Sequence, residues 1–370
     1  TAGECRSLLL CRDKDPFAEM WQGRRLGPAA ALTTLGLNAV SLSERSASLQ
    51  QALNGMQAVC LNLGDEPALQ QEVLAIMQGL RQREKRGEQA PVALMDLRPY
   101  SSEQRLIKSA DEIAIMRRAG QISTQAHHRA MRFCHAGGWE YQLEAEILHE
   151  FALHGARFAA YSSIVGSGDN GCILHYTENS SQLTDGELVL IDAGCELQGY
   201  AADISRTFPV NGRFTPEQAA LYQLVLDAQL CCIAAVKPGC TFAQLNAIAE
   251  QVLTKGLLEL GILHGDLTEL ITSKACKQYF MHGIGHWLGL DVHDVGAYKV
   301  AGDDRPFQPG MVLTIEPGLY IAPGSEAAEK WWGLAIRIED NILVTADGYD
   351  NLTAGCVKTL AEVEALMANR

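Results

Sequence analysis

The chain has 370 residues, 47% of them apolar and 20% charged, enough material for two globular domains; global disorder and a coiled coil are excluded. Its 44 acidic residues outnumber 30 basic ones, and a formal net charge of −14 would repel a phosphate backbone, so no nucleic-acid partner is expected. No apolar run in the sequence approaches the roughly 18 residues a membrane span needs, so no membrane partner is expected either.

In chain order, Thr1-Ala2-Gly3 carries neither an initiator Met nor a secretory h-region, and Ser7–Leu10 already reads as a strand. The sequence is therefore expected to begin inside a domain. Short apolar runs at Leu8–Leu10, Ala58–Leu61 and Val92–Met95 alternate with helix-like stretches such as Gln70–Arg83, which predicts a small α/β domain over residues 1–105. The breaker-rich Arg98-Pro99-Tyr100-Ser101-Ser102 reads as the linker to a second domain over 106–370. Eleven cysteines, Cys5 the first, are odd in number, irregularly spaced and without a CxxC. They read as mostly buried, reduced thiols in a cytoplasmic protein.

From Ser109 the signals sharpen. Ser109-Ala110-Asp111-Glu112 is a capping box opening a helix with Ile113, Met116, Gly120 and His127 on one face. A second helix fits Glu140–His154, stopped by Gly155, and strand-like segments run to about Phe208. The order then repeats. Thr215-Pro216-Glu217-Gln218 caps a third helix that ends before Pro238-Gly239, and Thr241–Gln244 opens a fourth that stops near Gly261. A finer match supports duplication: GELVLIDAG (186–194) aligns with GMVLTIEPG (310–318). Each has a turn glycine, an apolar strand, a carboxylate at Asp192 or Glu316, and a glycine two residues later.

Those carboxylates point to chemistry. Folding a hairpin about Leu197-Gln198 sets Asp192 directly opposite Asp203, with Cβ atoms roughly 5 Å apart. A longer hairpin centred between Ala327 and Ala328 pairs Glu316 with Glu339 in the same way. Carboxylates so close inside a sheet repel unless a cation or proton intervenes, and four converging on one place call for more than one divalent ion. Histidine completes the constellation: His282, His286 and His293 lie within MHGIGHWLGLDVHD, and His175 follows Asn170-Gly-Cys-Ile-Leu. The i, i+4 spacing of His282 and His286 is that of a zincin helix, but Gly283 and Gly285 argue against a helix and no Glu follows His282. The glycines instead suggest backbone packed tightly against a site. Six further histidines (His127, His128, His135, His149, His154 and His264) read as ordinary helix or loop residues. Four carboxylates with one or two imidazoles make a fairly hard, oxygen-rich site that suits Mn²⁺, Co²⁺ or Fe²⁺. Two such ions can hold a bridging hydroxide and polarise a carbonyl, the chemistry of metal-assisted hydrolysis.

At these residues the chain resembles the pita-bread metallopeptidases, and among them the aminopeptidase P group. The resemblance covers essentially the whole chain and is carried by CILHYTEN (172–179), LVLIDAGCELQGYAADISRTFPV (188–210), MHGIGHWLGLDVHDVG (281–296), FQPGMVLTIEPGLY (307–320) and IRIEDNILVT (336–345). It implies an α+β protein: a pita-bread catalytic domain of two pseudo-symmetric ααββ halves after a smaller creatinase-like α/β domain that lacks its start. It implies that Asp192, Asp203, His286, Glu316 and Glu339 bind two divalent ions, Mn²⁺ foremost with Co²⁺, Fe²⁺ or Zn²⁺ as alternatives, Asp203 and Glu339 bridging. Glu316 would also be the general base. His175 and His282 would border the reacting carbonyl, His293 and Arg337 would position substrate, and Tyr320 would line the site. The implied activity is release of the N-terminal residue from peptides with proline second, in a homo-oligomer, dimer or tetramer. Prolidase, which accepts only dipeptides, is the alternative within the class. Creatinase-like hydrolases and pita-bread binding modules are the alternatives outside it.

Overall fold

A computed structural model describes residues 7–369; Cys5 and the Thr1–Gly3 start lie outside the described residues. The chain divides into two compact units, Thr1–Ser101 and Ser102–Arg370.

In the first unit, Leu8–Cys11 pairs in parallel with Asn38–Ser41, and Ala58–Leu61 with Ala93–Asp96. Parallel neighbours need a crossover, and the helix Pro67–Gln82 supplies the second one. It starts three residues before the predicted Gln70 because Pro67, lacking an N–H, sits where a helix has no use for that donor. Val73, Met77 and Leu80 form its buried face against Leu53 and Leu61. The expected linker is not a loop. Residues Arg98–Leu106 are helical, and Pro99, in the first turn, removes no intrahelical bond there.

The second unit repeats one plan. Helices Ala110–Phe133 and Glu140–Leu153 precede a three-stranded antiparallel sheet ordered Ser205–Pro209, Leu188–Asp192, Ile164–Ser167. Helices Pro216–Ala235 and Phe242–Glu259 precede a second sheet ordered Val312–Ile315, Asp340–Val344, Tyr349–Asn351. The capping boxes at Ser109, Thr215 and Thr241 are all formed. Each half has its own core, one built around Ile122, Ile147, Val189 and Phe208, the other around Val225, Leu253, Leu313 and Ile336. Pro216–Ala235 is the one described helix long and apolar enough to cross a membrane, which the sequence reading passed over. More than half of that stretch is buried, with Leu221, Tyr222, Val225 and Ala228 wholly inside the second core, as befits a core helix. Burial also pushes the thiols of Cys195 and Cys356 up to about 11 and that of Cys232 to about 12.

The two hairpins differ in how well their register was anticipated. In the first, Asp192 stands opposite Ser205, not Asp203. The turn is Gln198-Gly199, one residue later than expected, with both residues at positive φ (53° and 89°) as a type I′ turn requires. The register moves by two residues, so Asp203 keeps the same face but becomes a diagonal neighbour of Asp192. In the second, Ile315 pairs with Asp340 and Gly318 with Arg337, so Glu316 and Glu339 face each other in the gap between those two ladders, the register expected.

Candidate active site

The ends of both hairpins meet in a cavity of about 520 Å³ lined by His175, Asp192, Asp203, His282, His286, His293, Glu316, Arg337 and Glu339, among others. All nine were singled out in the sequence. Tyr320 does not line the cavity; it is buried beside it.

Each carboxylate is delivered by a backbone feature. Asp192 ends its strand, and the Asp203 backbone is clamped by Asn341, whose Oδ1 accepts from Asp203 N (3.1 Å) while its Nδ2 donates to Asp203 O. Gly194 permits this turn: a Cβ there would stand 1.7 Å from Ala202 O. Glu316 follows a strand whose other edge pairs with the histidine segment, Glu316 N donating to Ile284 O (2.8 Å) and Thr314 N to His286 O (2.9 Å). That approach explains Gly285, since a Cβ there would lie 2.0 Å from Thr314 O. The segment is not helical, so His282 and His286 do not form a zincin pair.

His286 is set up as a ligand. Its Nδ1 donates to Trp287 O (2.9 Å), which turns Nε2 toward Asp203 Oδ2 (3.4 Å) and Glu316 Oε1 (3.5 Å). Asp203, His286 and Glu339 offer ligand atoms all within 4.8 Å of one another. Electrostatics agree with a cation there. Burial and the neighbouring carboxylates hold Asp203 and Glu339 above the ordinary carboxyl range and bring Glu316 up to about 7. His286, although buried, is held up to about 9 by Asp203 and Glu316, its proton supplying the positive charge that four clustered carboxylates demand. The donor set fits divalent ions of the harder kind.

Arg337 lines the cavity and Tyr320 lies buried beside it, the two tied to each other and to the centre by hydrogen bonds. The buried Arg337 guanidinium donates from Nη2 to Asp192 Oδ2, from Nη1 to Tyr320 OH and from Nε to Ser205 Oγ, each at 2.8 Å. A buried cation needs such partners, and these three bonds use three of its five N–H groups. Tyr320 in turn bonds His282 Nε2 (2.9 Å), while His282 Nδ1 donates to Gly283 O (2.8 Å). Burial and Arg337 push His282 down to about 4, so it is neutral. His282 thus extends the Tyr320–Arg337–Asp192 chain, with its Nδ1 3.9 Å from Glu316 Oε2. His293 packs its ring 4.1 Å from that of His286, and His175 lines the same cavity from the loop after Gly168–Cys172.

Three participants escaped the sequence. Tyr161 OH reaches both Asp192 Oδ1 and Asp203 Oδ1 at 2.5 Å, from a segment with no motif to mark it. Ser205 donates to Glu339 Oε2 (2.8 Å), and Thr314 to Glu316 Oε1 (3.2 Å). A buried hydroxyl inside an apolar strand was the available signal for Thr314. His127, read as an ordinary residue, is fully buried and bonds Ala193 O (3.0 Å), beside Asp192.

Residues 114–346 match the model of metallopeptidase family M24, and residues 1–60 match the aminopeptidase P N-terminal domain. The chain belongs to metallopeptidase family M24, with the pita-bread fold of its catalytic domain. It is 50% identical over 364 residues to Xaa-Pro aminopeptidase of Escherichia coli K12, covering 98% of this chain and 82% of that protein. Among solved structures, proline aminopeptidase P II from Yersinia pestis superposes with a TM-score of 0.95 at 50% identity, covering 99% of this chain and 84% of that one. Zinc-substituted E. coli aminopeptidase P in complex with product superposes equally well, with a TM-score of 0.95 at 49% identity, covering 98% of this chain and 83% of that one.

Proposed function

We infer that this protein is a metal-dependent aminopeptidase that releases the N-terminal residue from peptides with proline in second position. One observation carries the reading: a complete buried cluster of four carboxylates and one imidazole, in a chain half identical to an Xaa-Pro aminopeptidase over nearly its whole length. Pita-bread binding modules that lose their ligands are disfavoured by that completeness. Prolidase is disfavoured because the relatives that cover the chain are aminopeptidases.

Asp192, Asp203, His286, Glu316 and Glu339 would hold two divalent ions, with Asp203 and Glu339 shared between them. Mn²⁺ is our assignment, on the hardness of the donor set. Such ions supply an activated water and a polarised scissile carbonyl. The remaining work falls to the protein. Glu316 would accept the proton of the attacking water and return it to the proline nitrogen, which has no N–H of its own and cannot leave unprotonated. Arg337 would hold Asp192 in place while the charge of the centre changes. His175 and His293, which line the same cavity, would donate to the substrate carbonyl as it becomes an oxyanion. His282 would keep Tyr320 and Glu316 in register rather than act as a free donor.

A homo-oligomer and a cytoplasmic location belong to the same proposal. Phe17, Met20 and Trp21 stand more than 70% exposed on the helix Pro16–Gln22, an apolar face suited to a partner subunit. The protonated buried thiols fit a reducing compartment. Sedimentation tests the first point: a monomer at micromolar concentration contradicts it. The activity is tested by mass spectrometry of Xaa-Pro dipeptides, Xaa-Pro tripeptides and Xaa-Ala tripeptides after chelation and Mn²⁺ addition. Cleavage of the Xaa-Pro tripeptides, with little of the Xaa-Ala ones, is expected. Cleavage confined to dipeptides would make the protein a prolidase.

A further inference from the structure

We propose that Glu140 is a positioning residue for His175, acting through the loop 168–181. The inference rests on the reading of His175 given above. Glu140 begins the helix Glu140–Leu153, and no part of it reaches solvent. A carboxylate in that position needs donors, and it has five. Oε1 accepts from Ser167 N (2.7 Å), Ser167 Oγ (2.9 Å) and Asn170 Nδ2 (3.1 Å). Oε2 accepts from Tyr176 OH (2.9 Å) and Ser181 N (2.8 Å). These donors sit at the start, middle and end of one loop.

The loop is otherwise thin in regular structure: a 3₁₀ turn over Gly168–Cys172, then irregular chain to Ser181. Its middle is organised by alternation. Tyr176 turns inward to Glu140, while its neighbours His175 and Thr177 turn outward and line the cavity. Asn170 ties the same points together, donating also to Tyr176 OH (3.1 Å) and Ser181 Oγ (2.9 Å). Asn179 fixes the far end by accepting from Val165 N (2.9 Å) and donating to Ser163 O (2.9 Å). Glu140 is therefore the acceptor on which Ser167, Asn170, Tyr176 and Ser181 converge. Its removal frees Tyr176, and with Tyr176 the adjacent imidazole. A reacting group displaced by about 1 Å can lose up to a hundredfold in rate.

Glu140→Gln is nearly isosteric but turns one acceptor oxygen into a donor facing donors. We expect kcat to fall by roughly ten- to a hundredfold while KM and metal content change little. The deciding measurement is a double-mutant cycle with His175→Ala, in which the Glu140→Gln loss disappears because the positioned group is gone. Tyr176→Phe, which deletes one bond only, goes through the same cycle and carries the test should Glu140→Gln fail to fold. Equal losses in the wild-type and His175→Ala backgrounds would overturn the positioning role. Unchanged turnover in His175→Ala alone would instead overturn the role given to His175.

Discussion

At the residue scale, the centre is defined by side chains that burial and mutual repulsion make poor anions until a cation arrives. Asp203→Asn or Glu339→Gln removes an anionic oxygen from a position proposed to be shared by two ions. Either is expected to abolish turnover and leave one ion or none per chain by elemental analysis. His282→Ala is expected to cut turnover by up to about a hundredfold with metal retained, since it loosens Tyr320 and the packing beside Glu316 without removing a proposed ligand. Metal loss on that substitution would make His282 a ligand.

The same residues give a pH dependence with a definite sign. Asp203, Glu316 and Glu339 bind protons more readily folded than unfolded, Glu316 at about 7, and His286 at about 9 adds in the same direction. Groups whose folded values are raised stabilise fully below their unfolded values and lose that contribution as pH rises through the folded ones. Below the ordinary histidine range His127, His128 and His282, all lowered to about 4, oppose this slope, so the melting temperature of chelated protein is expected to fall from pH 7 to pH 9. Saturating Mn²⁺ removes most of the slope by replacing the protons, and Glu316→Gln reduces it in the chelated protein. A melting temperature that climbs over this range in chelated wild type would refute the charge balance described.

At the scale of elements, what the sequence disclosed was local chemistry. Capping boxes write helix starts in three or four residues, and those at Ser109, Thr215 and Thr241 were legible for that reason, while the one at Thr359 and the half-formed one at Trp139 were passed over. The Glu316–Glu339 register was legible as well, because a continuous hairpin conserves it across the break at Pro317. The Asp192–Asp203 register was not: Gln198 at positive φ has no sequence signature, and moving the turn by one residue shifts the pairing by two. The partners of Arg337 were illegible for a different reason. Whether a guanidinium faces a ligand or buried partners depends on Ser205, Tyr320 and Asp192, which are distant in the chain. Tyr161 was invisible for the same cause. The glycine-rich histidine segment was read correctly as close backbone packing. Gly285→Ala is accordingly expected to force the strand carrying Glu316 away from His286, lowering metal affinity at least tenfold by titration. An alanine variant with wild-type affinity would show that the strands yield without moving the ligands.

At the scale of the whole catalytic unit, the two halves are locked together behind the centre. Arg206, wholly buried in the first half, donates to Glu339 O (2.6 Å) and to Asp340 Oδ1 (2.7 Å) in the second, and to Cys356 O (3.0 Å). Asp340 also receives Lys358 Nζ (2.6 Å) and is held below the ordinary carboxyl range despite its burial. Removing one member of a buried pair strands the other charge, so Asp340→Ala is expected to destabilise this unit by about 3–5 kcal/mol in urea unfolding. A loss under about 1 kcal/mol would mean that the remaining partners of Arg206 suffice.

The central claim is that a paired-cation centre built by both halves performs the peptide cleavage. Its most direct test is stepwise Mn²⁺ titration of chelated protein, following release of the N-terminal residue from an Xaa-Pro tripeptide alongside bound metal per chain. We expect no release without metal and a plateau when two ions are bound per chain. Full activity in chelated protein, or a plateau that metal binding does not track, would contradict the claim.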